Sequence, residues 1–223
     1  MIDHDINRVC NLIDGKTRAG KRTVVAIAGP PASGKSTLAD CVVRSLNSRH
    51  NGTEAHAALL PMDGYHLDNR ILESQGLLAR KGAPETFDAE GFCHAVHQLA
   101  HPQHEGYYPR FDRQLDLAIA NAIAISTRVQ VVVVEGNYLL LKSNPWRSLR
   151  NVFAASVFVC PTLEELQDRL FERWISHGLD SKAAWARASQ NDLPNAKHVM
   201  EESHPADLHL NQNYAEQGGR YAY

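Results

Sequence analysis

The stretch GPPASGKST, Gly29 to Thr37, places Gly29, Gly34, Lys35 and Ser36 in the order G-x-x-x-x-G-K-[ST]. A loop of this kind turns backbone N–H groups inward around phosphate oxygens, and a helix starting at its end adds partial positive charge. Pro30, Ala32 and Ser33 would shape the cradle. Lys35 would reach the outer phosphates of ATP, the Ser36 hydroxyl would ligate Mg2+, and Thr37 could give a further phosphate hydrogen bond. The competing reading is a glycine-rich turn that happens to hold a lysine. Two carboxylates also stand where chemistry could be done. Glu135 directly follows Val131–Val134 and precedes Gly136. An acid ending a strand beside a phosphate loop meets the Mg2+ shell; elsewhere it is a solvated strand end. Asp63 ends the apolar run of LLPMDGYHLDN. A carboxylate there could take the proton of an attacking hydroxyl, yet Asp-Gly is equally a favoured turn. His66 could bond a substrate or complete the loop.

These groups need elements to position them. Thr23–Gly29 is a β-branched apolar run ended by glycine and prolines, which predicts a buried strand. Ser36 to about Arg49 predicts a helix with Leu38, Val42, Val43 and Leu46 inside. Further strands are expected at His56–Met62, Val129–Leu141, Ala155–Pro161 and Ala206–Leu210, and further helices at Asp88–Ala100, Thr162 to about His177, and Ser181–Ser189. Thr162 is the expected N-cap, with Glu164 and Glu165 suiting the helix dipole. Residues 1–20 read as an amphipathic helix, and polar loops are expected around Pro102–Arg113. Strands that alternate with helices and are apolar throughout predict a parallel sheet covered on both faces. Its site lies beyond the carboxyl ends of the strands, so Gly29–Ser36, Asp63–Asn69, Glu135–Tyr138 and Pro161–Thr162 should share one edge.

The 223 residues carry 23 basic and 25 acidic side chains, a formal charge of −2. No basic stripe suggests a nucleic-acid partner. Cys10, Cys41, Cys93 and Cys160 form no C-x-x-C pair and read as reduced thiols. The first residues lack an apolar signal core, and no apolar run approaches the roughly 20 residues of a membrane span. The expectation is a cytoplasmic protein with no membrane partner. The histidines, including His94, His97, His101 and His104, follow no metal-ligand grid.

Taken together, GPPASGKST, MDGYHLDN, RKGAPETFD, YYPRFDR, VVVVEGNYLLL, DRLFERWISHG and NDLPNA, in that order from Thr23 to about Leu210, resemble the phosphoribulokinase/uridine kinase/pantothenate kinase family of P-loop kinases. The similarity is strongest to a short bacterial branch described as nucleoside kinase-like or fructose transport system kinase-like. The resemblance implies an α/β/α sandwich with a five-stranded parallel sheet in the order 2-3-1-4-5, as a single domain over residues 1–223. It implies ATP as donor, Mg2+ as cofactor and Asp63 as general base toward a hydroxyl of a nucleoside, sugar or vitamin precursor. It also implies a lid over about residues 165–190, in which Arg169 and Arg173, four apart, close on the phosphates, with Arg187 a third candidate. Arginines so spaced are otherwise a solvated helix face. Asn191 and Asn195 fall in the stretch that contacts adenine in relatives, or form a polar loop. The acceptor pocket is implied to involve Asp63, His66, Glu135, Arg80, Lys81, Tyr108 and Asp112, with Phe111 nearby. Arg80, Lys81, Arg110 and Arg113 would suit an acceptor bearing phosphate or carboxylate, or would merely keep loops soluble. Relatives are often dimers or tetramers, so a homodimer is compatible with the resemblance. An ATP-binding regulator, or a hydrolase acting with a partner protein, are the rival functions.

Overall fold

The computed structural model describes residues 2–50 and 55–211. Five strands form one parallel sheet: β1 (Thr23–Ala28), β2 (Ala57–Pro61), β5 (Val131–Gly136), β6 (Ala155–Val159) and β7 (Leu208–Leu210). Their spatial order is β2-β5-β1-β6-β7, which is 2-3-1-4-5 when the five are counted along the chain, as the resemblance implied. β1 and β5 are buried at every position, which explains their unbroken apolar sequences.

Side chains alternate between the two sheet faces. Val25, Ile27, Val131 and Val133 pack against Val9 and Ile13 of α1 (Ile2–Lys16) and Leu38, Val42 and Leu46 of α2 (Lys35–Arg49). Val24, Ala26, Val132 and Val134 pack on the other side against Phe92, Val96 and Leu99 of α4 (Ala89–Leu99) and against Trp146. Register then aligns the strand ends. Ala28 pairs with Gly136 and Pro61 with Glu135, so the loop after β1, Glu135 and the start of the Asp63 turn finish side by side.

The remaining helices are α3 (Asn69–Ser74), α5 (Leu163–Ser176), α6 (Ser181–Arg187) and α7 (Leu193–Glu202), with a π turn, Ala188–Asp192, joining the last two. Thr162 caps α5 in a reciprocal capping box with Glu165. No helix among the described residues is long and apolar enough to cross a membrane.

Three expectations are corrected. Pro102–Arg113 is not simply polar loop: β3 (Gly106–Asp112) pairs antiparallel with β4 (Leu117–Ile125) as a separate hairpin. Pro109 sits at a register shift between Tyr108 and Arg110, where a missing N–H is tolerated. β4 reads LAIANAIAI, whose Ala and Ile positions blur the inside-outside alternation that marks a half-buried strand. The N-terminal helix ends at Lys16, and the strand expected at Val129–Leu141 is confined to Val131–Gly136.

Arg22 fastens the hairpin and α4 to the sheet at the edge opposite the phosphate loop. Its guanidinium donates to the carbonyls of Val129 (2.9 Å), His104 (2.8 Å), Ser126 (2.8 Å), Leu99 (3.4 Å) and Pro102 (3.4 Å). Arg22→Ala leaves these carbonyls unanswered and is expected to cost about 3 kcal/mol of stability. The check is the urea midpoint, with nucleotide affinity of the folded fraction unchanged. Arg22→Lys should recover only part, since an ammonium offers fewer donors than a guanidinium.

Candidate active site

The phosphate loop owes its shape to backbone that few residues adopt. Ala32 (φ 62°) and Gly34 (φ 88°) are left-handed, and α2 begins at Lys35. A Cβ on Gly29 would stand 2.2 Å from the Val159 carbonyl oxygen, so only glycine lets β6 pass this close. Lys35 Nζ donates to the Pro30 carbonyl at 3.3 Å and lies 3.8 Å from Glu135 Oε1. Burial lowers the Lys35 pKa, with Glu135 and Asp63 opposing. Ser36 Oγ donates to Glu135 Oε1 at 3.1 Å. Burial also raises the Glu135 pKa, against the pull of Lys35.

Arg169 Nη1 donates to the carbonyls of Ala32 (3.3 Å) and Ser33 (3.5 Å), which brings α5 down onto the loop. Three buried polar atoms here have no hydrogen-bond partner: Ser33 Oγ, Arg169 Nη2 and Arg173 Nε. Orphans of this kind are rare in a folded interior. Clustered around an inward-turned loop, they fit an anionic guest.

Asp63 stands in the 3-10 turn Met62–Tyr65, with its carboxylate 3.6 Å from Arg113 Nη2. Burial pushes its pKa up, but His66, Arg113, Lys35 and Arg173 outweigh this and hold it below the ordinary value. A group with a depressed folded-state pKa keeps its charge as pH falls, and its contribution to stability is lost only when pH drops through that lowered pKa. Turnover should therefore show no protonation of Asp63 between pH 7 and about 5, given an ordinary carboxylate range near 4. A kcat–pH series at saturating substrates checks this, and a loss of kcat already near pH 6 that follows Asp63 would contradict it. The His66 ring lies 4.0 Å from Phe87 and 4.6 Å from Phe111, centroid to centroid, and its Nδ1 is 2.8 Å from the Asp63 carbonyl oxygen. Burial lowers the His66 pKa, despite Asp63, so the ring is neutral at pH 7.

Beyond His66 lies a polar knot that the sequence reading did not assemble. Lys81 Nζ bonds Asn69 Oδ1 (2.7 Å) and the Asp116 carbonyl (2.9 Å), and lies 2.8 Å from Asp116 Oδ1. Asn69 Nδ2 donates to Asp116 Oδ2 at 2.8 Å. From the other side, Arg187 donates to the carbonyls of Ala79 and Lys81, and Asn191 Nδ2 donates to the Lys81 carbonyl at 3.1 Å. Trp174, beneath the Arg187 guanidinium, donates its indole N–H to Asp192 at 2.5 Å.

The structure thus gathers Lys35, Ser36, Glu135, Asp63, His66, Arg169 and Arg173 on one sheet edge, with Lys81 close by. Four other candidates are turned elsewhere. Arg80 pairs with Glu85 at 2.9 Å on the surface. Tyr108 is buried in the core with its hydroxyl 3.1 Å from His104 Nε2. Asp112 Oδ1 accepts from the backbone N–H groups of Gln114 and Leu115 at 3.0 Å and shapes the hairpin turn. Asn195 is buried, with Nδ2 3.5 Å from Asn191 Oδ1. Asp116 was missed because it belongs to no motif, and Asn69, the last residue of MDGYHLDN, was given no role of its own. The left-handed backbone of Asp116 (φ 52°), a conformation Asp tolerates, was the one local cue.

No family model matches the chain. It is 32% identical over 203 residues to "Uncharacterized protein YggC" of Escherichia coli (strain K12), covering 91% of this chain and 82% of that protein. It is 42% identical to the crystal structure of a "putative fructose transport system kinase" from Silicibacter sp. TM1040, with a TM-score of 0.84, covering 92% of this chain and 98% of that one. The chain belongs to the phosphoribulokinase/uridine kinase/pantothenate kinase family of P-loop kinases. A third relative in this family, "Putative uridine kinase C227.14" of Schizosaccharomyces pombe, is 29% identical and covers 86% of this kinase and 84% of its own length. The kinase fold accounts for both the strand order and the place of the phosphate loop.

Proposed function

We propose that this P-loop kinase transfers the terminal phosphoryl group of ATP to a hydroxyl of a small metabolite, with Asp63 as general base. The observation that carries the reading is a single sheet edge holding orphaned buried donors around Gly29–Thr37 and, facing Lys35, a carboxylate kept ionised. Loop N–H groups, Lys35, Arg169 and Arg173 receive the phosphate charge. Charge on the moving phosphoryl is spread over several oxygens, which planar guanidiniums match. Asp63 orients the acceptor hydroxyl and takes its proton. Residues 165–190 act as the lid, and closure of α5 over the loop keeps water out.

Mg2+ is the metal this chemistry uses. It takes one or two protein oxygens and completes its shell with phosphate and water. Ser36 Oγ and Glu135 Oε1, already 3.1 Å apart, are the hard-oxygen pair that fits. Bound there, Mg2+ would neutralise phosphate oxygens. Phe158, Cys160, Pro161, Thr162, Met200, His209 and Asn211 line an open cavity of about 410 Å³ at the carboxyl ends of β6 and β7. That cavity is the place for the nucleotide base, in preference to the buried Asn195.

The names of the relatives make fructose and uridine the first acceptors to try. The test is ADP release from Mg-ATP across hexoses, nucleosides, pantothenate and nicotinamide riboside. Acceleration by an acceptor is the expected result. Release that no acceptor changes would overturn the reading in favour of a hydrolase or a nucleotide-binding regulator.

A further inference from the structure

We infer that the acceptor is an uncharged hydroxyl compound, and that the pocket rejects acceptors already bearing phosphate or carboxylate. This rests on the kinase reading with Asp63 at the reacting end. The basic side chains of the acceptor segments decide it. An acceptor anion needs a cation that is free to receive it. Lys81 is not free: its side chain is 10% exposed and its ammonium contacts are the Asn69 amide oxygen and both oxygens offered by Asp116. An ammonium has three donors, and these contacts use them all. Arg80 is engaged by Glu85 through Nε and Nη2, each at 2.9 Å. Arg113 faces Asp63, and Arg173, whose Nε has no partner, belongs to the phosphate end of the site. Arg110 is exposed on β3.

The charges beside His66 therefore cancel: Lys81 against Asp116, and Arg113 against Asp63. His66 itself is neutral. Beside His66 an incoming phosphate would meet the carboxylates of Asp63 and Asp116, with the adjacent cations Lys81 and Arg113 already paired to them. To recruit Lys81 it would have to strip Asn69 and Asp116 from a largely buried ammonium, which leaves Asp116 uncompensated. An uncharged polyol or nucleoside meets no such obstacle. The carboxylates of Asp63 and Asp116 offer it hydrogen-bond acceptors on either side of the neutral His66 ring.

The test compares matched pairs in the ADP-release assay: fructose with fructose 6-phosphate, uridine with uridine 3′-monophosphate, and pantothenol with pantothenate. In each pair a reactive primary hydroxyl remains free. The uncharged member of the productive pair should be favoured by about 100-fold in kcat/KM, the scale set by burying an unmatched polar group. A charged member that equals or exceeds its partner overturns the inference and leaves the kinase reading standing. Release indifferent to every compound, with Mg-ATP shown to bind, overturns the kinase reading and this inference together. Asp116→Asn, verified as folded by circular dichroism, frees the Lys81 charge and should shift the ratio about tenfold toward the charged member. A ratio that does not move would rule out the Lys81–Asp116 pairing as the basis of selection. Arg110→Ala should leave the ratio unchanged, and loss of a charged acceptor's activity in that variant would instead reveal an anion site and overturn the inference.

Discussion

Asp63→Asn is expected to lower kcat by about 1,000-fold, within the range that a positioned general base supplies. Mg-ATP affinity should stay within about twofold, because Asp63 makes no contact with the phosphate loop beyond its field at Lys35. The amide keeps the volume of the carboxylate and can still accept a hydrogen bond from an acceptor hydroxyl. It cannot take the proton. The substitution also removes the counter-charge 3.6 Å from Arg113, a half-exposed pair whose loss matters little for folding. Single-turnover phosphoryl transfer, measured beside nucleotide binding, separates the two effects. Near-normal turnover would show that the proton leaves by another route, and Asp63 would then be only the turn residue its sequence context allows.

The second large effect comes from a residue with no side chain. A Cβ on Gly64 would fall 2.3 Å from the Pro109 carbonyl oxygen and 2.7 Å from its carbon. Both are backbone atoms of β3, so nothing can rotate aside. Gly64→Ala must push the hairpin away from the Asp63 turn, or the turn away from Glu135. Displacing a reacting group by about 1 Å costs on the order of 100-fold in rate, and that is the expected fall in kcat/KM. Forced overpacking should cost about 1–3 kcal/mol of stability as well. Gly15→Ala is the matched control: nothing lies within 4 Å of its added Cβ in α1, so activity should be unchanged and stability equal or slightly raised. Kinetics and thermal melts of the two variants side by side would decide it. A fully active Gly64→Ala enzyme would mean that the hairpin does not position Asp63.

Much of this was legible because the relevant signals are carried by side chains. Val131–Val134 and Thr23–Ala28 could hardly be anything but central strands, and once they were placed, the loop motif, Glu135 and Asp63 had to meet at one edge. What was not legible depends on groups that every residue has. Arg187 and Asn191 grip the carbonyls of Ala79 and Lys81, and no sequence pattern says which carbonyl a distant side chain will find. Tyr108 and Asp112 looked like pocket residues because they are polar and near a motif. The hairpin spends one on the core and the other on its own turn. The basic residues looked like an anion site until the acidic partners of Arg80, Lys81 and Arg113, as far as 50 positions away in the chain, came into view.

The grip on Lys81 bears on how substrates come and go. This residue is a junction: its ammonium is moored to Asn69 and Asp116, while its carbonyl is held by Arg187 and by Asn191 from the π turn. α6 therefore cannot swing outward alone. It must either draw the Ala79–Lys81 wall with it or release both arms at once. In the proposed reaction the donor and acceptor compartments would then share one door, departure of ADP and departure of the phosphorylated product would become a single traffic event, and a ligand lodged in either compartment would delay the exit of whatever occupies the other.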